Sequence, residues 1–77
     1  MSIDEIRLIN RAQSFKPFTV RVTDGDALHV PHPDFLFIPP VGGTVIIVDQ
    51  KGCMSLVDAT HITKLEFQPA RTAKPPR

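Results

Sequence analysis

Four side chains in this 77-residue chain are of types that do chemistry together: His29, His32, Asp34 and His61. The first three stand in an H-x-x-H-x-D spacing inside the run His29-Val30-Pro31-His32-Pro33-Asp34-Phe35. Neutral imidazoles and a carboxylate are zinc ligands, and His61 would complete a tetrahedral set. Side chains three apart on a strand, however, point to opposite faces, so only a bend at Pro31 brings His29 and His32 together. An aspartate after proline also accepts backbone amides as a turn residue. The stretch therefore reads as a proline-stiffened corner between two strands, with Asp34 capping its turn. His29, His32, Asp34 and His61 remain the candidate functional corner, with no metal or other cofactor assigned.

Cys53 with His61 offers a second chemistry, a thiolate and the imidazole that ionises it. No orienting third group or oxyanion loop accompanies the pair. Cys53 also falls in a run that reads as a strand, where an isolated cysteine packs as a small hydrophobe. Asp24, Asp26, Asp49 and Asp58 each lie beside a turn, where aspartate stands in for a backbone acceptor. The chain has no nucleophile motif, glycine-rich phosphate loop or paired metal-ligand motif. No catalytic residue is assigned, and the expectation is a non-enzymatic protein.

The elements that position these residues follow from periodicity. Ser2-Ile3-Asp4-Glu5 has the form of a capping box, a hydroxyl and a glutamate each satisfying the other's orphan amide. A helix then runs through Ile3, Ile6, Leu8, Ile9 and Ala12 and stops near Gln13, because Pro17 biases Lys16 out of the helical region. From Phe18 the period becomes two, with Phe18, Val20 and Val22 alternating against Thr19, Arg21 and Thr23. Asp24-Gly25 predicts a tight hairpin turn, and the return strand, residues 27–30, places Leu28 and Val30 on the core side and His29 on the other. Pro31, Pro33, Pro39 and Pro40 then demand an edge, a bend or a loop.

The run 44–48 is apolar at four consecutive positions, as in a strand covered on both faces, or one whose second face is a subunit interface. A turn at Lys51-Gly52 leads to a strand over residues 53–57 and one capped helical turn at Asp58-Ala59-Thr60. A last strand over 62–67 sends Lys64 and Glu66 outward and Leu65 and Phe67 inward. Residues 68–77 are proline-rich, polar and basic, and predict a disordered tail after a single domain spanning 1–67.

A domain this short buries only about 60% of its unfolded surface, so it leans on partners or staples. One cysteine excludes a disulfide within the chain and fits a reducing compartment. No run approaches a membrane span and the acidic start is unlike a signal peptide, so the expected location is the cytoplasm, with no membrane contact. Arg71, Lys74 and Arg77 are the candidate nucleic-acid contacts. The chain's net +1 becomes −2 once those three tail cations are set aside, a weak electrostatic basis for binding phosphates.

The order of helix, hairpin, prolyl bend, hairpin, short turn and last strand resembles the small bent-sheet barrels of the Sm-like and SH3-like kind. Phe18 to Gly25 is similar to the first strand and glycine-ended turn of bacterial Sm-like RNA chaperones, and Thr60-His61-Ile62-Thr63 to the stretch before their last strand. The likeness implies a mainly β fold with one N-terminal helix and a bent five-stranded antiparallel sheet or partly open barrel. It departs at three points: no lysine precedes His61, no Asp-x-x-x-Asn base pocket is present, and four prolines interrupt the second strand region. Lys16-Pro17-Phe18, Asp24-Gly25 and Val30 to Phe35 also resemble a pattern in a family of short bacterial proteins, which implies no activity. The leading expectation is a binding or assembly module able to form a homo-oligomer. The alternatives are an oligomeric Sm-like RNA binder and a small metal- or cysteine-dependent catalyst.

Overall fold

The computed structural model describes residues 1–67, and its first element is the helix that Ser2 announces. Helix α1 spans Ile3–Asn10, and the Ser2 hydroxyl accepts the Asp4 amide at 3.2 Å in place of the expected exchange with Glu5. The helix ends three residues before Gln13. The Arg11 N–H still reaches back four residues to the Arg7 carbonyl, but the Ala12 N–H bonds the Ile9 carbonyl only three back, so the last turn tightens and stops. Ile6 is fully buried and Ile3 and Ile9 pack beside it, whereas Leu8, counted above with the apolar positions, is 72% exposed. The Asn10 amide donates to the Leu36 carbonyl at 3.2 Å and ties the helix end to the sheets, while its own oxygen is buried without a partner.

Six strands follow: β1 (Phe18–Val22), β2 (Ala27–Val30), β3 (Leu36–Phe37), β4 (Thr44–Val48), β5 (Met54–Asp58) and β6 (Ile62–Phe67). They form two antiparallel sheets, one ordered β2-β1-β6 and the other β3-β4-β5. The fold is thus mainly β with one N-terminal helix, but the single five-stranded sheet is corrected to two three-stranded ones. No closed barrel forms among the described residues. The prolines explain the division: Pro31 and Pro33 cannot donate to a ladder, so the second strand region breaks after Val30 and resumes only as the two residues of β3.

Both hairpins use the same device. Val22 donates to the Asp26 carbonyl across Thr23-Asp24-Gly25, and Asp49 donates to the Cys53 carbonyl across Gln50-Lys51-Gly52. Each is a three-residue loop whose last residue is a glycine at positive φ, +100° at Gly25 and +90° at Gly52. The tight turn expected at Asp24-Gly25 is present, with Gly25 alone at positive φ. Asp24 and Asp49 each accept the amide two residues on, at 2.9 and 2.8 Å, as turn aspartates do.

The core lies between the sheets under the helix. Phe18, Val20 and Val30 of the first sheet meet Leu36, Val45 and Ile47 of the second, with Ile6, Ala59 and Ile62 closing the ends. Strand β4 is closed over on one face only: Val45 and Ile47 are buried, while Ile46 and Val48 are half-buried. Phe67 points toward the core, its ring 5.6 Å from that of Phe18, but remains 47% exposed at the sheet's end. A bulge between Arg21 and Val22 admits Thr63, whose hydroxyl donates to the Arg21 carbonyl at 3.1 Å. No helix among the described residues is long and apolar enough to cross a membrane. The expected tail over 68–77, with Arg71, Lys74 and Arg77, lies outside the described residues.

Candidate functional site

The corner forms where it was expected, but its roles are exchanged. Pro33 opens a single 3₁₀ turn (Pro33–Phe35) and has no N–H, so the first amide in need of an acceptor is that of Asp34. A residue preceding that amide must supply the acceptor. His32 Nδ1 does so at 3.3 Å, and Asp34, expected to be the cap, points its carboxylate into solvent with 88% of the side chain exposed. The Asp34 carboxylate lies 3.7 Å from the same ring nitrogen, and the Phe15 ring packs 6.5 Å from the imidazole. His29 stands on the outer face of β2, its Nδ1 3.4 Å from the Thr19 hydroxyl.

His61 ends a second 3₁₀ turn (Ala59–His61), which Asp58 caps by accepting both the amide and the hydroxyl of Thr60. Its Nδ1 is 3.3 Å from the Thr23 hydroxyl. Thr19, within β1, holds His29, and Thr23, in the hairpin loop beyond the end of β1, holds His61, and the two imidazoles line different clefts. Among the described residues no three His, Cys, Asp or Glu side chains converge on a point where a metal would sit. Cys53 is exposed rather than packed in the core. Its position parity matches the inward Ser55 and Val57, but it lies at the hairpin tip, where nothing covers it. The length of β5, about 16 Å, separates it from His61.

Two clefts open between the sheets. One of about 370 Å³ is lined by His29, Pro31, Asp49, Lys51 and Ser55, and one of about 530 Å³ by Thr23, Asp24, Asp26, Asp58 and His61. The carboxylates beside them are already engaged. Asp49 is held below the usual aspartate range by the Cys53 amide and then the Lys51 amide, and Asp58 by the amide and hydroxyl of Thr60. Groups so committed to backbone N–H donors are turn anchors rather than proton carriers.

The outer faces of the two sheets carry the sharper signal. On the first sheet the outward residues are Thr19, Arg21, Ala27, His29, Lys64 and Glu66. Arg21 Nε donates to Glu66 at 2.8 Å and Lys64 approaches its second oxygen at 3.1 Å; the Arg21 bond first and the Lys64 bond second depress the Glu66 acid. On the second sheet the register aligns Phe37, Ile46 and Leu56 across three strands and Val48 with Met54 beside them. Phe37, Met54 and Leu56 are 59%, 64% and 65% exposed. This apolar face was half legible, in the four consecutive apolar residues of β4. Its flanks were missed, although the alternation of Met54 and Leu56 with Ser55 was there to be read. No family model, curated protein or solved structure matches the chain.

Proposed function

We propose that the chain is a non-enzymatic assembly module whose working surface is the outer face of β3-β4-β5. The observation that carries this reading is the alignment of the exposed Phe37, Leu56 and Met54 with the half-buried Ile46 and Val48 into one outward apolar surface in a chain of 77 residues. Solvent-facing sheet surfaces ordinarily alternate polar residues outward, and a contiguous apolar one marks a protein contact. The occupant is protein, because the outward residues of the three strands include no cation, and Arg7 and Arg11 of α1 border only the Phe37 end.

Native mass spectrometry of the protein purified from its own cells tests this. The expected result is a complex with protein, further copies of the 8.6 kDa chain included, that is lost in Phe37→Ser and Ile46→Thr while the fold persists. A bare chain in every preparation overturns it.

A second reading, an oligomeric RNA binder built on a partly open Sm-like barrel, draws on two observations. The strands run β6-β1-β2 and then, past the prolyl corner, β3-β4-β5, an order similar to that of those barrels. Arg7, Asn10 and Arg11 also line a cavity of about 130 Å³ beside Phe37. Ribonuclease-sensitive mass in the same experiment would favour it.

A further inference from the structure

Two three-stranded sheets leave four edge strands, and three of them are guarded. Strand β2 is four residues long and runs into Pro31; β3 is two residues long between Pro33 and Pro39. Strand β6 carries Lys64 and Glu66, both engaged in ion pairs. These are the devices that keep a sheet edge from recruiting another strand. Strand β5 has none of them: no proline, no lysine, no bulge, and one charge, Asp58, at its last position.

The free groups on that edge are identifiable. Asp49 N–H bonds the Cys53 carbonyl at one end of the β4–β5 ladder, and Ala59 N–H bonds the Gly43 carbonyl at the other. Bonded pairs alternate along an antiparallel ladder, so Ser55 and Val57 turn their backbone groups toward β4. Met54, Leu56 and Asp58 therefore present N–H and C=O to the open side.

We infer that β5 pairs with β5 of a second copy, antiparallel, about a two-fold axis through Leu56. This deepens, and rests on, the assembly reading above. In this register Leu56 faces its own symmetry mate, and Met54 faces Asp58 of the other copy at both ends. Each of these three pairs exchanges two backbone bonds, because the residues that meet are those with free groups. The outer apolar faces join across the axis, and no like charges stand opposite one another. Pairing β5 antiparallel with β6 of another copy would instead set Met54 and Leu56 opposite Leu65 and Phe67, because Thr19 and Arg21 already take the backbone groups of Glu66 and Lys64. The outer face of one copy would then run into the core-facing side of the other. One strand pairing is a small interface, so the dimer dissociates on dilution.

Sedimentation of the full chain from roughly 10 μM to 1 mM reads the equilibrium directly. Wild type is expected to move from one to two 8.6 kDa chains. Leu56→Glu and Leu56→Lys, at an exposed position, should each fold normally and associate at least about tenfold more weakly, since like charges meet on the axis. An equimolar mixture of the two should recover the dimer. Three results overturn the pairing: a wild type monomeric throughout, assemblies larger than two, or a mixture no stronger than its components. The assembly reading is separable, because even without the pairing it still requires that Ile46→Lys, away from the β5 edge, lose the co-purifying protein.

Discussion

The two sheets of this protein have matching inner faces and opposite outer ones. Inside, Phe18, Val20 and Val30 on one side and Leu36, Val45 and Ile47 on the other are equally buried. Outside, the first sheet displays an ion-paired Arg21, Glu66 and Lys64 with Thr19 and His29, while the second displays Phe37, Ile46, Val48, Met54 and Leu56. The same strand geometry serves both, so folding does not require the difference. A sheet with water on its outer side gains nothing from apolar side chains there, which is why we propose the second outer face as the contact surface.

The strongest test of that contrast is truncation on the two sides of each sheet. Phe18→Ala should cost on the order of 3 to 5 kcal/mol and Ile47→Ala about 2 to 5, because both leave cavities in a closed core. Leu56→Ala and Thr19→Ala, outside, should each change the unfolding free energy measured in urea by less than about 0.5 kcal/mol. If Leu56→Ala instead destabilised the monomer as Ile47→Ala does, the second outer face would be core and the contrast would collapse.

The hairpins sharpen the comparison from the other direction, since here the sheets are alike. Gly25→Ala and Gly52→Ala should each cost about 1 to 2 kcal/mol by placing a Cβ at positive φ, and their equality in thermal melts is the result to check. The glycines have open space around them, so backbone strain is the whole effect.

Acid should act on both sheets with one sign. Asp49, Asp58 and Glu66 are all held below their ordinary values in the folded chain, by the Cys53 amide, the Thr60 amide and the Arg21 guanidinium in turn. Their stabilisation is complete above the unfolded carboxylate range near about pH 4 and is lost as pH falls through the folded values. Melts between about pH 6 and 2 should therefore fall in midpoint, and Asp49→Asn with Asp58→Asn should flatten that fall. A steeper fall in the double variant would contradict the assignment.

The smallest effects are expected at the corner. His32→Ala should lower the midpoint slightly and Asp34→Ala less, because the imidazole is the acceptor and the carboxylate is solvated. A reversed order would restore Asp34 as the cap.

That reversal marks where sequence stops being enough. Strand and turn positions were legible because alternation from Phe18, the glycines at 25 and 52 and the Asp58 cap are local rules that the packing does not override. The exchange between His32 and Asp34 was not, since both residues accept hydrogen bonds and only the missing N–H of Pro33 decides which amide needs one. The division into two sheets depends on how a prolyl break is resolved in space. Exposure of Cys53 depends on what reaches the hairpin tip. For the candidate surface, parity placed Ile46 and Val48 together, but the adjacency of Phe37, Met54 and Leu56 is a cross-strand register, which no single run of residues contains.

One topological feature has a temporal meaning. The second sheet is built from a continuous stretch, Leu36 to Asp58, whereas the first needs β6 to return to β1, with Phe18 opposite Phe67. Short loops close sooner than long ones, so the β4–β5 hairpin has the entropic advantage and the β1–β6 ladder comes late. On a ribosome the same order is enforced by synthesis, because β6 is made after every other strand of the described residues. There is thus an interval in which the apolar face and open edge of β5 exist on a chain whose first sheet is unfinished. Nascent copies on one message are neighbours at high local concentration, so the surface we propose for joining finished chains is also one that unfinished chains expose to each other.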